Sequence, residues 1–160
     1  TNIKITKILE NTLDQKTGTI NDDEFFKNAI PLVGKTEAEI ALNRMKVIIY
    51  PNSGKFAEYE KAALSYYQNT ENFETEELLK AAWIFSEHIT TPSSLKKAEE
   101  WAEKSVMKSE TPENTYILAK IYSKTGKKDQ AKSYAEISKN LANAQGKDGK
   151  LATQLLESLK

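Results

Sequence analysis

The sequence predicts an all-α chain built as a stack of antiparallel helical hairpins, and three observations carry that prediction. The stretch 83–107 is written again at 116–140. The shift that carries Trp83 onto Tyr116 also carries Ala98 onto Ala131, Ala102 onto Ala135, Glu103 onto Glu136 and Ser105 onto Ser138. Trp101 then falls on Tyr134, Phe85 on Leu118 and Ser86 on Ala119. A period of this length marks a supersecondary unit stacked on a copy of itself. Next, no segment alternates convincingly with period two, whereas apolar residues recur at helical spacing from end to end. Finally, 6 Gly and 4 Pro are few for a turn-rich all-β chain.

The elements follow in order. Ile5, Ile8, Leu9 and Leu13 stripe a first helix over 1–14, ended by Lys16-Thr17-Gly18. Asn21 with Glu24 reads as a capping box that opens a helix through Phe25, Phe26 and Ile30, closed by Pro31 and Gly34. Thr36 with Glu39 repeats that signature before Ile40, Met45, Val47 and Ile48, and Pro51 stops the helix. After the turn Pro51-Asn52-Ser53-Gly54, the residues Phe56, Tyr59, Ala63, Tyr66 and Tyr67 form one stripe. Residues 69–72 read as a polar loop. Leu78, Ala82, Phe85 and Ile89 stripe the next helix, and Thr91-Pro92-Ser93-Ser94 is a turn and N-cap in one. Leu95, Ala98, Trp101, Ala102 and Ser105 face inward on the helix after it. Thr111-Pro112 places a capping hydroxyl before Pro at the first helical position. Leu118, Ile121 and Tyr122 follow, and Gly126 suits a left-handed C-cap. Ala131, Tyr134, Ala135, Ser138, Leu141 and Ala142 stripe a long helix. Residues 143–148 form a loop, and Leu151, Leu155 and Leu159 mark a last amphipathic helix.

The reading is therefore one domain over 1–160: N-terminal helices in 1–35, hairpins at 36–69, 74–109 and 113–144, and a capping helix in 145–160. Ala98/Ala102/Ser105 and Ala131/Ala135/Ser138 supply the small-residue faces that let two helices approach closely. Trp101, Tyr134, Leu118 and Tyr122 are expected to fill the space between hairpins.

Lys+Arg and Asp+Glu both total 23, so the formal net charge is zero. That removes the electrostatic argument for nucleic acid or an anionic membrane surface. No apolar run is long enough for a bilayer. Cys is absent, which excludes disulfides, thiolate zinc sites and a Cys nucleophile within these residues. The opening Thr1-Asn2, without Met, reads as a mature form or an excised domain.

Leu118-Ala119-x-x-Tyr122, Gly126 and Ala131-x-x-x-Ala135 together resemble the tetratricopeptide repeat. The match is divergent. Thr115 stands where that pattern has Trp, Ala119 where it has Gly, and Tyr134 lies one residue off the aromatic position. The resemblance implies a right-handed superhelix of hairpins that binds other proteins. A broader resemblance runs through Ala82-Trp83-Ile84-Phe85, residues 97–106, Thr115-Tyr116 and Tyr122-x-x-x-Gly126, with Gly54–Tyr59 upstream. It is to the helical C-terminal region of thioredoxin-like proteins of the Bacteroidetes type. It implies an accessory domain of a thiol-disulfide exchange protein and a periplasmic or extracytoplasmic setting. No Cys-x-x-Cys is present, so no redox activity carries over.

Candidate sites are few. His88, the only histidine, could act as a general base or metal ligand, but no Cys or second His accompanies it. Glu99/Glu103 and Glu76/Glu77 could hold a metal or divide acid from base work. Lys96, Lys97 and Lys104 are interleaved with them, which favours a solvated charged face. Residues 146–150 lack the spacing of a phosphate loop and read as a helix connector. Tyr59, Tyr66 and Tyr67 could stack bases, yet without a basic surplus they read as packing. In repeats of the resembled kind the first helix of each hairpin lines the concave side. The resemblance puts Lys80, Trp83 and Glu87 there from one hairpin and Tyr116, Lys120 and Lys124 from the next. The expectation is a non-enzymatic domain with no cofactor and no metal, which takes a protein or peptide partner in that groove. Self-association as a homodimer is the alternative, and a small hydrolase using His88 is the least favoured.

Overall fold

The structure, a computed structural model, describes residues 2–160, with Asn2 described by its backbone alone. Thr1, included in the expected first helix, lies outside them. The fold is all-α. Among the described residues there are nine α-helices, one 3-10 turn and one two-stranded ladder. The chain forms two compact units, 1–68 and 69–160.

The first unit holds α1 (Asn2–Thr12), β1 (Leu13–Asp14), β2 (Thr19–Ile20), α2 (Asp22–Val33), α3 (Lys35–Ile49) and α4 (Phe56–Tyr66). Its core gathers Ile5, Leu9, Ile20, Phe25, Ala29, Ala38 and Leu42. The antiparallel ladder pairs Leu13 with Ile20 and Asp14 with Thr19, and two residues per strand are too few to show alternation. Several expectations are corrected here. Asn21 does cap α2, accepting from the Glu24 N–H at 3.1 Å, but its own N–H donates to the Thr12 carbonyl, so no reciprocal box forms. Pro31 does not end α2. It stands within the helix, which runs on to Val33 before Gly34 donates to the Ile30 carbonyl. Gly34, at φ 87°, is the only residue between α2 and α3. That left-handed turn, costly for residues with a Cβ, restarts the helix at Lys35. Thr36 is therefore inside α3 and caps nothing. The phase set there buries Ala38 and Leu42, with Met45 and Ile49 packed behind them, and leaves Ile40 and Ile48 exposed. In α2 the buried position is Ala29 and not Ile30.

The second unit holds α5 (Thr75–His88), α6 (Pro92–Lys108), α7 (Pro112–Lys124), α8 (Lys128–Ala144) and α9 (Lys150–Ser158), after a 3-10 turn at Thr70–Asn72. Short connections fold α6 back on α5 and α8 back on α7. The antiparallel sense shows in the contacts. The Ser138 hydroxyl, late in α8, donates to the Pro112 carbonyl at the start of α7 (2.7 Å), while Tyr134, early in α8, meets Tyr122 near the end of α7. Each second arm also packs on the next helix along the chain, α6 on α7 and α8 on α9, while α7 touches both α5 and α9. A helix with two such neighbours needs small residues. Ala98, Ala102, Ala131 and Ala135 are fully buried, and Ser105 and Ser138 nearly so. Within each hairpin Trp101 meets Phe85 (5.0 Å) and Tyr134 meets Tyr122 (5.7 Å), and the Tyr122 hydroxyl also reaches Glu103 on α6 of the preceding hairpin.

The start of α7 joins the two pairs. Thr111 and Asn114 form a reciprocal capping box, and the Asn114 amide also donates to Ser105 Oγ and the Ser109 carbonyl. A buried amide so satisfied fixes the register between pairs, and each lost partner would leave an orphan polar group. At the other end of α7, Gly126 (φ 82°) lets the Lys127 N–H reach the Tyr122 carbonyl at 2.9 Å, a left-handed helix stop. Ala152 in α9 and Leu159 just after its end are buried, and Leu151 stands 56% exposed against expectation. Thr91 precedes Pro92 as expected but makes no side-chain capping bond.

Candidate functional site

Trp83 and Glu87 lie one turn apart on α5, and Tyr116 and Lys120 one turn apart on α7. Packing of α5 on α7 brings the four together. The rings of Trp83 and Tyr116 sit 6.3 Å apart at a 46° tilt. The Lys120 ammonium is 4.9 Å above the Trp83 ring and donates to Glu87 Oε1 at 2.6 Å. The Lys120 ammonium is thus held by two partners, ring quadrupole and carboxylate. Burial, with the Glu87 charge behind it, raises the Tyr116 phenol above its ordinary value. Lys124, one turn beyond Lys120, is held as a cation less readily than usual. Burial is the main cause and Lys120 the second, with Glu87 pulling the other way. Lys80 stands exposed in the turn before Trp83 and forms no ion pair among the described residues. Four of the six expected residues therefore form one cluster. Lys124 borders it, and Lys80 is outside it.

Trp83 and Tyr116 also form one wall of a cleft of about 380 Å³. Pro112, Ile117, Ser138 and Ala142 continue the wall along α7 and α8, and residues 147–152 close the far side. The lining is largely apolar, with Leu151 at the rim. Charges stand around it: Lys147 reaches Glu113 at 3.5 Å, and the Asp148 carboxylate accepts from the Lys150 N–H. A cleft of this size with aromatic walls and a few charges suits a ligand or peptide side chain. The far wall was missed from sequence. Residues 146–150 do connect two helices, but their position over Tyr116 depends on α9 packing back on α7 and α8, which no local pattern states.

The other candidates resolve individually. His88 is exposed in the last turn of α5. Among the described residues no group of three or more His, Asp or Glu could hold a metal. Glu99 is not on a solvated face. It is 6% exposed, paired with Lys127 and in reach of Thr125 Oγ1 (3.5 Å), while Glu103 accepts from the Tyr122 hydroxyl at 2.8 Å. These carboxylates fasten α6 to the end of α7. That bond and burial raise the Tyr122 pKa, burial first. Glu76 and Glu77 are exposed in the first turn of α5, where acidic groups suit the dipole. Tyr59 and Tyr67 are buried in the first unit, so their rings are not offered to a ligand. No described helix is long and apolar enough to cross a membrane. No family model, curated protein or solved structure matches the chain.

Proposed function

We propose that the chain is a non-enzymatic protein-interaction domain of the tetratricopeptide-like kind, which takes a segment of a partner protein along the α5–α7 face. The observation that carries this reading is the Trp83–Tyr116 pair on the wall of a largely apolar cleft, with Lys120 and Glu87 fixed beside it. Rigid aromatics next to anchored charges are what a peptide-binding surface needs, because little side-chain freedom is lost on docking. The equivalent burial of Ala98/Ala102 and Ala131/Ala135 supports the repeat reading. The resemblance through 82–126 supports attachment to a thioredoxin-like protein, with the partner being a substrate or assembly factor of that protein.

Selection from a displayed random-peptide library tests the reading. Binders should lose at least tenfold in affinity with Trp83→Ala and with Tyr116→Ala, in the range for anchor residues. Affinity unchanged by both substitutions would remove the assigned face. Self-association is the second reading, favoured by Leu151 exposed at the cleft rim. A monomer mass independent of concentration in light scattering would eliminate it.

A further inference from the structure

A second cleft, of about 420 Å³, lies where the turn between α5 and α6 meets the end of α7. Lys96, Lys124 and Lys127 border it, with Glu99 the one carboxylate. Glu99 is already engaged by Lys127. Lys96 and Lys124 are left, and neither forms an ion pair among the described residues. Two ammonium groups on one cleft, each without an ion-pair partner among the described residues, offer an anion carrying two charges one contact apiece. Lysine suits such a ligand as a compact, strongly hydrated point charge.

We infer that this cleft is a binding site for a doubly charged oxyanion, held between Lys96 and Lys124 beside the Lys127–Glu99 pair. The site is separate from the Trp83–Tyr116 cleft and shares none of its lining residues. The oxyanion is either a free ion or a pair of carboxylates on a docked chain, and the two arms of one experiment separate these sources.

The experiment follows lysine side-chain resonances by proton–carbon NMR at constant ionic strength, with chloride as the matched control. One arm adds inorganic phosphate, the other acetyl-Asp-Asp-amide. Saturable shifts confined to Lys96, Lys124 and Lys127 are expected in at least one arm, and at least tenfold weaker binding in Lys96→Gln. Circular dichroism verifies the fold of that variant. Saturation by phosphate assigns a free ion, and saturation by the diacid alone assigns carboxylates of a partner. Shifts that are linear and shared with an exposed lysine such as Lys132, or unchanged in Lys96→Gln, overturn the site. Because Lys96 does not line the Trp83–Tyr116 cleft, loss of the oxyanion site leaves the peptide-binding proposal standing.

Discussion

The pairs α5/α6 and α7/α8 agree in the small residues of their second arms and differ most in their first. Ala98 matches Ala131 and Ala102 matches Ala135, all without exposed surface, and Ser105 and Ser138 both bond to the start of α7. The first arms part company at their ends. His88 is exposed where its equivalent, Ile121, is fully buried, and Glu74 opens α5 without a side-chain cap while Thr111 opens α7 with a complete box. The turns differ too: Ile89, Thr90 and Thr91 in one, Thr125, Gly126 and Lys127 in the other. Within 69–160, α7 has helices on every side, packing on α5, α6, α8 and α9, whereas α5 packs on α6 and α7. The inner first arm therefore buries an isoleucine and fixes both its ends, and the outer one tolerates a histidine. The contrast follows from position within 69–160, since the alanine face is equally buried in both pairs.

That contrast can be broken most sharply at the aromatic pair. Trp101 is 2% exposed and lies against Phe85, so Trp101→Ala should cost about 3–5 kcal/mol in chemical denaturation. Its equivalent, Tyr134, is only half-buried beside Tyr122. Tyr134→Ala should cost roughly 1 kcal/mol, the scale of an aromatic contact. Equal losses would contradict the different depths of the two rings. Asn114→Ala should cost about 1–3 kcal/mol, since it strands the Ser109 carbonyl and undoes the cap of α7. Its equivalent on α5 is Ala81, which has no such bonds to lose. A smaller, pH-dependent effect belongs to the inner pair alone. Tyr122, with its pKa raised by burial and by Glu103, stands where the outer pair has Ile89. A folded pKa above the unfolded one adds stability below the unfolded value, about 10 for tyrosine, and loses it as pH climbs further. Stability should therefore fall above about pH 10, and Tyr122→Phe should flatten the fall. A profile with the same slope in the variant would place the alkaline sensitivity elsewhere.

How legible each part was depended on whether the sequence said it twice. The alanine faces of α6 and α8 could be read directly, because two offset copies fix the phase of each helix, and the Thr111 cap and the Gly126 stop were legible from local residue type alone. In 1–68 nothing is duplicated. There Ile40 and Ile48 looked like core simply because they are apolar, and only the entry at Gly34 decides that Ala38 and Leu42 turn inward. The Trp83, Glu87, Tyr116 and Lys120 cluster was accessible through the resemblance to a repeat family. Glu99 was misread because Lys127, which neutralises it, is distant in sequence. The wall made by Gly149 and Leu151 was illegible because it depends on how α9 returns to α7.

The repeat stands or falls with α6 and α8 doing the same job through the same small residues. Overpacking both in turn puts that to the test: Ala102→Leu and Ala135→Leu, each measured by urea denaturation. Similar losses, each about 1–3 kcal/mol, are expected if both faces are packed against two helices. A loss at one position with none at the other would contradict the equivalence, and the proposed binding role of the α5–α7 face would lose its structural basis.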